Sequence, residues 1–155
     1  MSLLHNFHIN LLPGLCTATK AIASHRPDEA MDASFGILLQ FGELPPRTME
    51  EHELRSGIKN MIYILQTMSD DMICNMCENK DSRLRTLLNF YEWLSHYLLY
   101  FKPWLLGSVS LRMLEITLKA GLSPKSPLAF ANFGAVLMSI GDVSGGCRLG
   151  EYKAS

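Results

Sequence analysis

The chain has 155 residues, 48% of them apolar and 19% charged, which is enough to build a continuous core and argues against long disorder. Its 14 Lys and Arg against 15 Asp and Glu leave a formal charge of −1, and the basic residues are scattered, so neither nucleic acid nor an anionic membrane is indicated as a partner. Four cysteines (Cys16, Cys74, Cys77, Cys147) are too few and too unevenly spaced for a disulfide framework, and they point to reduced thiols and a cytoplasmic location.

The first segment, residues 1–24, reads as a weakly structured helical stretch interrupted at Pro13-Gly14. It has no positive n-region, and His5, Asn6, His8 and Asn10 break its apolar run, which argues against a signal peptide. A helical domain is expected over 27–155. Its first helix opens with Pro27, Asp28 and Glu29, all suited to a helix N-terminus, and stops at Gly42. Pro45-Pro46 breaks the chain, and Thr48 with Glu51 has capping-box spacing. The helix that follows carries Leu54, Ile58, Met61, Ile62, Leu65 and Met68 on one stripe and ends near Ser69. DDMICNM reads as a short further turn of helix, and ENKD as a loop.

The helix from Ser82 to Lys102 has two apolar stripes. Leu84, Leu87, Leu88, Tyr91, Leu94, Leu98 and Phe101 form one, and Phe90, Trp93, Tyr97 and Tyr100 form the other. A helix with two such stripes is covered on two sides, as inner helices of stacked hairpins are. Arg85, Glu92, His96 and Lys102 exclude this stretch as a membrane span. Pro103 restarts the chain into a helix with Leu105, Val109, Met113, Ile116 and Ala120 on its stripe, stopped by Gly121 and Pro124. Ser126-Pro127 signals the next start, with Ser126 as N-cap, and that helix runs to Gly141. Asp142 then caps a last helix, VSGGCRLGEYKA, whose Gly145, Gly146 and Gly150 each cost up to about 1 kcal/mol relative to Ala. No alternating β pattern appears, and the expected fold is all-α, with stacked antiparallel helical hairpins.

Tetratricopeptide spacing fits the C-terminal part. Gly134 takes the small position of a first helix, with Phe130, Phe133 and Leu137 on its large apolar positions; Gly141 lies at the turn and Gly146 at the small position of the second helix. Gly150 replaces the aromatic expected four residues after Gly146. HRPDEA resembles the turn and second-helix start of another unit, with Ala30 at its small position. On Ser123-Pro124, Ser126, Phe130, Ala131, Phe133, Gly134, Gly141-Asp142, Gly146, Arg148 and Gly150, the stretch from Gly121 resembles the tetratricopeptide-like helical region of large predicted AAA/STAND-type ATPases. Those proteins are often fused to kinase, GAF, histidine-kinase or cyclase domains. FGELPPRTMEEHE and LRMLEITLKAG resemble the Pro-rich link and preceding helix of that region, while Cys147 and Leu149 stand where aromatics are more usual. The resemblance implies a non-catalytic regulatory scaffold, a fragment incomplete at its C-terminus, whose partners are proteins or neighbouring repeats and domains. Self-association through its uncapped last helix is a further expectation.

Chemistry-bearing patterns are sparse. No Gly precedes Lys-Ser or Lys-Thr, so the phosphate-binding loop is absent and no cofactor is expected. Cys74-Asn75-Met76-Cys77 is a C-x-x-C pair, the one candidate for metal; a structural zinc needs four ligands, and His52 and His96 are each about 20 residues away. A helical turn with one buried thiol is the expectation there. Glu50, Glu51 and Glu53 read as a dipole-favoured helix start, and the aromatic run of the Ser82–Lys102 helix as inter-helix packing. A helical bundle with a ligand pocket or enzymatic site is the alternative reading.

Overall fold

The structure, a computed structural model, describes residues 26–152; the expected N-terminal segment 1–24 lies outside them. The fold is all-α. Among the described residues there are seven α-helices, and the only β feature is an isolated bridge between Glu78 and Leu122. No helix of the described residues is long and apolar enough to cross a membrane. The chain divides into two compact units, with the boundary between Thr48 and Met49.

In the first unit, α1 (Pro27–Gln40) begins at its proline, carries Asp28 and Glu29 in its first turn, and buries Ala30, Met31, Phe35, Ile37 and Leu38. Gly42 adopts φ 78°, the left-handed conformation that ends a helix and that residues with a Cβ resist. A 3₁₀ turn (Pro46–Thr48) follows, where Arg47 lies 4.7 Å over the Phe35 ring and 3.1 Å from Asp32.

The second unit contains α2 (Glu51–Thr67), α3 (Asp70–Cys74), α4 (Ser82–Phe101), α5 (Leu106–Ala120), α6 (Ser126–Ser139) and α7 (Val143–Glu151), with a 3₁₀ turn at Pro103–Leu105. Helix α2 is capped two residues later than the Thr48–Glu51 spacing implied. Glu50 is the N-cap, and its N–H donates to the Glu53 carboxylate at 2.9 Å. The Thr48 hydroxyl is drawn back to the Pro45 carbonyl at 2.7 Å because the two prolines wind this stretch into a 3₁₀ turn. Ser126 is likewise inside α6 rather than its N-cap, which is Lys125, and its hydroxyl accepts from the Ser123 N–H at 2.8 Å.

Helix α5 is the hub, packing on α2, α4 and α6, while α6 packs on α7. One core joins Ile58, Met61 and Leu65 of α2, Ile73 of α3, Leu111 and Leu114 of α5, Phe130, Phe133 and Leu137 of α6, and Leu149 of α7. Burying a side chain of this size is worth about 1.5–3 kcal/mol. The α2–α5 approach uses Gly57, where a Cβ would lie 2.6 Å from Leu111 Cδ2. Buried hydroxyls inside the helices are satisfied four residues back: Ser95 donates to the Tyr91 carbonyl at 2.7 Å and Thr117 to the Met113 carbonyl at 2.9 Å. Such bonds let a polar residue face the core, and the Ser95 hydroxyl also reaches Met113 Sδ of α5 at 3.6 Å.

Between α3 and α4, the Asn79 N–H donates to the Leu122 carbonyl at 2.7 Å and the Leu122 N–H to the Cys77 carbonyl at 2.8 Å. Gly121 makes this possible. Its φ is 104°, and a Cβ there would overlap the Cys77 carbonyl.

Candidate functional site

The α6–α7 hairpin brings together the residues singled out by repeat spacing. Phe130, Phe133, Gly134, Leu137 and Gly146 are buried. A Cβ at Gly134 would meet the Gly146 carbonyl oxygen at 3.0 Å, and a Cβ at Gly146 would meet the Gly134 oxygen at 2.8 Å. The two glycines therefore face each other, and their lack of side chains lets the backbones touch. Gly141 supplies the turn at φ 93°, and Asp142 caps α7 by accepting from the Gly145 N–H at 2.9 Å. Gly150 has nothing within 4 Å of its would-be Cβ, so it takes no part in the crossing. Tyr152 instead brings an aromatic ring to this end of the hairpin, 5.2 Å from Phe130 in a tilted arrangement.

A polar cluster that sequence spacing did not indicate ties α7 to the other side of the core. Arg148 Nη1 donates to the Leu65 carbonyl at 3.0 Å and Nη2 to the Met68 carbonyl at 2.7 Å, while Nε donates to Asp70 Oδ1 at 2.8 Å. A cation thus satisfies two carbonyls at the C-terminus of α2, where the helix dipole is negative. The Tyr152 hydroxyl also donates to Asp70 Oδ1. That hydrogen bond, followed by the one from Arg148, holds the Asp70 carboxyl below its ordinary value. Burial first, and then the bond to Asp70, raises the Tyr152 phenol above its ordinary value.

Two shallow clefts flank α7. One, of about 220 Å³, is lined by Ile62, Leu65, Gln66, Leu137, Asp142, Ser144, Gly145, Arg148 and Leu149. The other, of about 110 Å³, is lined by Ile73, Cys74, Leu122, Ser123, Ser126, Pro127, Phe130 and Tyr152. Both are smaller than the roughly 300–1,000 Å³ usual for small-molecule sites. Their charged side chains are already engaged, Asp142 as a cap and Arg148 in the cluster above.

The C-x-x-C pair lies at the end of α3, and both Cys74 and Cys77 are exposed, which corrects the expectation of one buried thiol. The reason is that α3 points Ile73, not a cysteine, into the core. His52 faces Glu50 at 3.2 Å, and His96 Nδ1 lies 2.8 Å from the Glu92 carbonyl of its own helix. Among the described residues, no group of three His, Cys, Asp or Glu is placed to hold a metal ion. Glu51 pairs with Arg55, and Glu53 caps the helix start.

On α4, Leu87, Leu88, Tyr91, Leu94 and Leu98 are buried, as are Phe90 and Tyr97 of the second stripe. The rings of Phe90, Trp93, Tyr97 and Phe101 stack in sequence at centroid distances of 5.6, 6.0 and 4.7 Å. The last rung is therefore Phe101, not Tyr100. Tyr100 is 80% exposed and Trp104, in the following 3₁₀ turn, is 68% exposed, and Leu99 and Phe101 beside them are also exposed. Comparison with family models, with curated proteins and with solved structures returns no match.

Proposed function

We propose that the chain is a non-catalytic, cytoplasmic helical-repeat scaffold that makes protein–protein or interdomain contacts. We further propose that it derives from the tetratricopeptide-like regulatory region of a multidomain signal-transduction ATPase. The observation that carries the scaffold reading is the exposed group Leu99, Tyr100, Phe101 and Trp104 at the α4–α5 junction. Exposed aromatics are the residue types that dominate protein interfaces, and here they are close in sequence at one helix break. The Gly134–Gly146 crossing supports the repeat-like part of the reading, because close helix approach at a small-residue pair is what that spacing serves. Small clefts without uncommitted charged groups lend nothing to the pocket alternative. Self-association through α7 belongs to the same proposal, although the outward side of that helix carries Ser144, Cys147 and Glu151 besides Val143.

The test is a Tyr100→Ser/Trp104→Ser double variant, compared with the parent chain by proximity labelling in cells. Both side chains are mostly solvent-exposed, so thermal stability should change little, within about 0.5 kcal/mol. The proposal expects a defined set of labelled proteins to disappear in the variant. An unchanged set would rule out this surface as the contact. Light scattering at tens of micromolar checks self-association, and the reading frames flanking the coding sequence check the proposed parentage.

A further inference from the structure

The helix α7 is short and glycine-rich. Of its nine residues three are glycine, and only Gly146 and Leu149 are buried. A helix of this length does not hold itself together in water. Its link to α6 passes through Gly141, which has open space around it. Where α7 meets α2 and α3, the surfaces do not close. The larger cleft runs along it from Asp142 to Leu149, and the smaller one ends on Tyr152. What spans the gap is polar: Arg148 reaches the carbonyls of Leu65 and Met68, and Arg148 and Tyr152 both converge on one oxygen of Asp70. Asp70 is itself exposed.

We infer that α7 is a releasable latch, strapped across the end of α2 by the Asp70–Arg148–Tyr152 cluster and able to open while the rest of the second unit stays folded. The contrast with α6 makes the point. That helix sets Ala129, Phe130, Phe133, Gly134 and Leu137 into the core, so it opens only when the core does. Releasing α7 removes Leu149 from the core and uncovers Leu65 and Leu137, which line the larger cleft beside it. The Asp70 carboxylate thus accepts two of the four hydrogen bonds that strap α7 over that apolar surface.

Hydrogen–deuterium exchange of the full chain, resolved to peptides of α5, α6 and α7, tests the latch. In the parent protein the α7 amides should exchange about tenfold or more faster than those of α5 and α6. Asp70→Asn, which removes the shared acceptor charge, should speed α7 by about tenfold and leave α5 and α6 unchanged. Tyr152→Phe should speed α7 by a smaller factor, because it removes one of the cluster's hydrogen bonds. Uniform exchange across the three helices would overturn the inference, as would an Asp70→Asn effect that is absent or equal in all three. Global unfolding of Asp70→Asn also counts against it, since α7 would then not be separable from the core.

Discussion

The glycine crossing between α6 and α7 sets up a test in which two substitutions in one helix should have opposite signs. In Gly146→Ala, the new methyl would lie 2.5 Å from Met138 Cγ and 2.8 Å from the Gly134 carbonyl oxygen. Met138 is exposed and flexible and can swing aside. The Gly134 oxygen belongs to the backbone of a core helix and cannot, so α7 must move away from α6. Overpacking of this kind costs about 1–3 kcal/mol, against a helix-propensity gain of up to about 1 kcal/mol. The net expectation is a loss of about 1 kcal/mol, which in a protein of this size lowers Tm by about 2–4 °C. Gly150→Ala gains the same propensity with no neighbour within 4 Å. Its position in the last turn keeps the gain near about 0.5 kcal/mol. Subtracting one variant from the other largely cancels propensity and leaves the crossing term of about 1–3 kcal/mol. Urea and thermal unfolding followed by circular dichroism measure both. A Gly146→Ala protein at least as stable as Gly150→Ala would refute the reasoning.

Arg148→Ala should cost about 1.5–2 kcal/mol, the low end for hydrogen bonds to a charged group because the guanidinium is partly exposed, and Arg148→Lys should recover little of it; urea midpoints read both. The Asp70 carboxyl has a depressed folded value, so its contribution is complete above the ordinary aspartate value of 3.8 and disappears as pH falls through the lower folded value. Stability measured from pH 5 downward should therefore drop below about pH 4 in the parent and more gently in Asp70→Asn. Raised in the folded state, the Tyr152 phenol should contribute stability below its ordinary value of 10.0 that is lost at higher pH, a loss Tyr152→Phe should lack. Cys74, Cys77 and Cys147 are exposed and unpaired with one another, so all three should be alkylated in the native protein, as mapped by peptide mass; protection until unfolding would contradict their placement.

What the sequence made legible were features with a local period. The stripe Leu54–Met68 faces the core of the second unit at Ile58, Met61 and Leu65 because 3.6-residue repetition alone fixes a helix face. The Gly134–Gly146 contact was legible as well, since both residues belong to one short hairpin whose spacing is nearly rigid. Caps were placed to within a residue or two: Thr48 and Ser126 each carry the right hydroxyl, but neighbouring prolines decide which residue turns the chain. Invisible in advance was the Asp70–Arg148–Tyr152 cluster. Asp70 lies 78 residues from Arg148 and 82 from Tyr152, and no periodic signal links residues at that distance. The three glycines of the last helix showed only that it is weak by itself.

The exposed pair Tyr100 and Trp104 follows from a choice made one helical turn earlier. Each ring of the α4 ladder can be continued three or four residues on, and after Tyr97 the candidates are Tyr100 and Phe101. Phe101 takes the place, 4.7 Å from Tyr97. A residue one step away on a helix points about 100° around the axis, so Tyr100 is turned off the ladder. Pro103 then ends any chance of α4 continuing, and the 3₁₀ turn it opens leaves Trp104 mostly in solvent. Neither side chain is demanded by the core. The same helix break that fixes the ladder thus holds both aromatics outward, and they form the surface on which the proposed contact is to be tested.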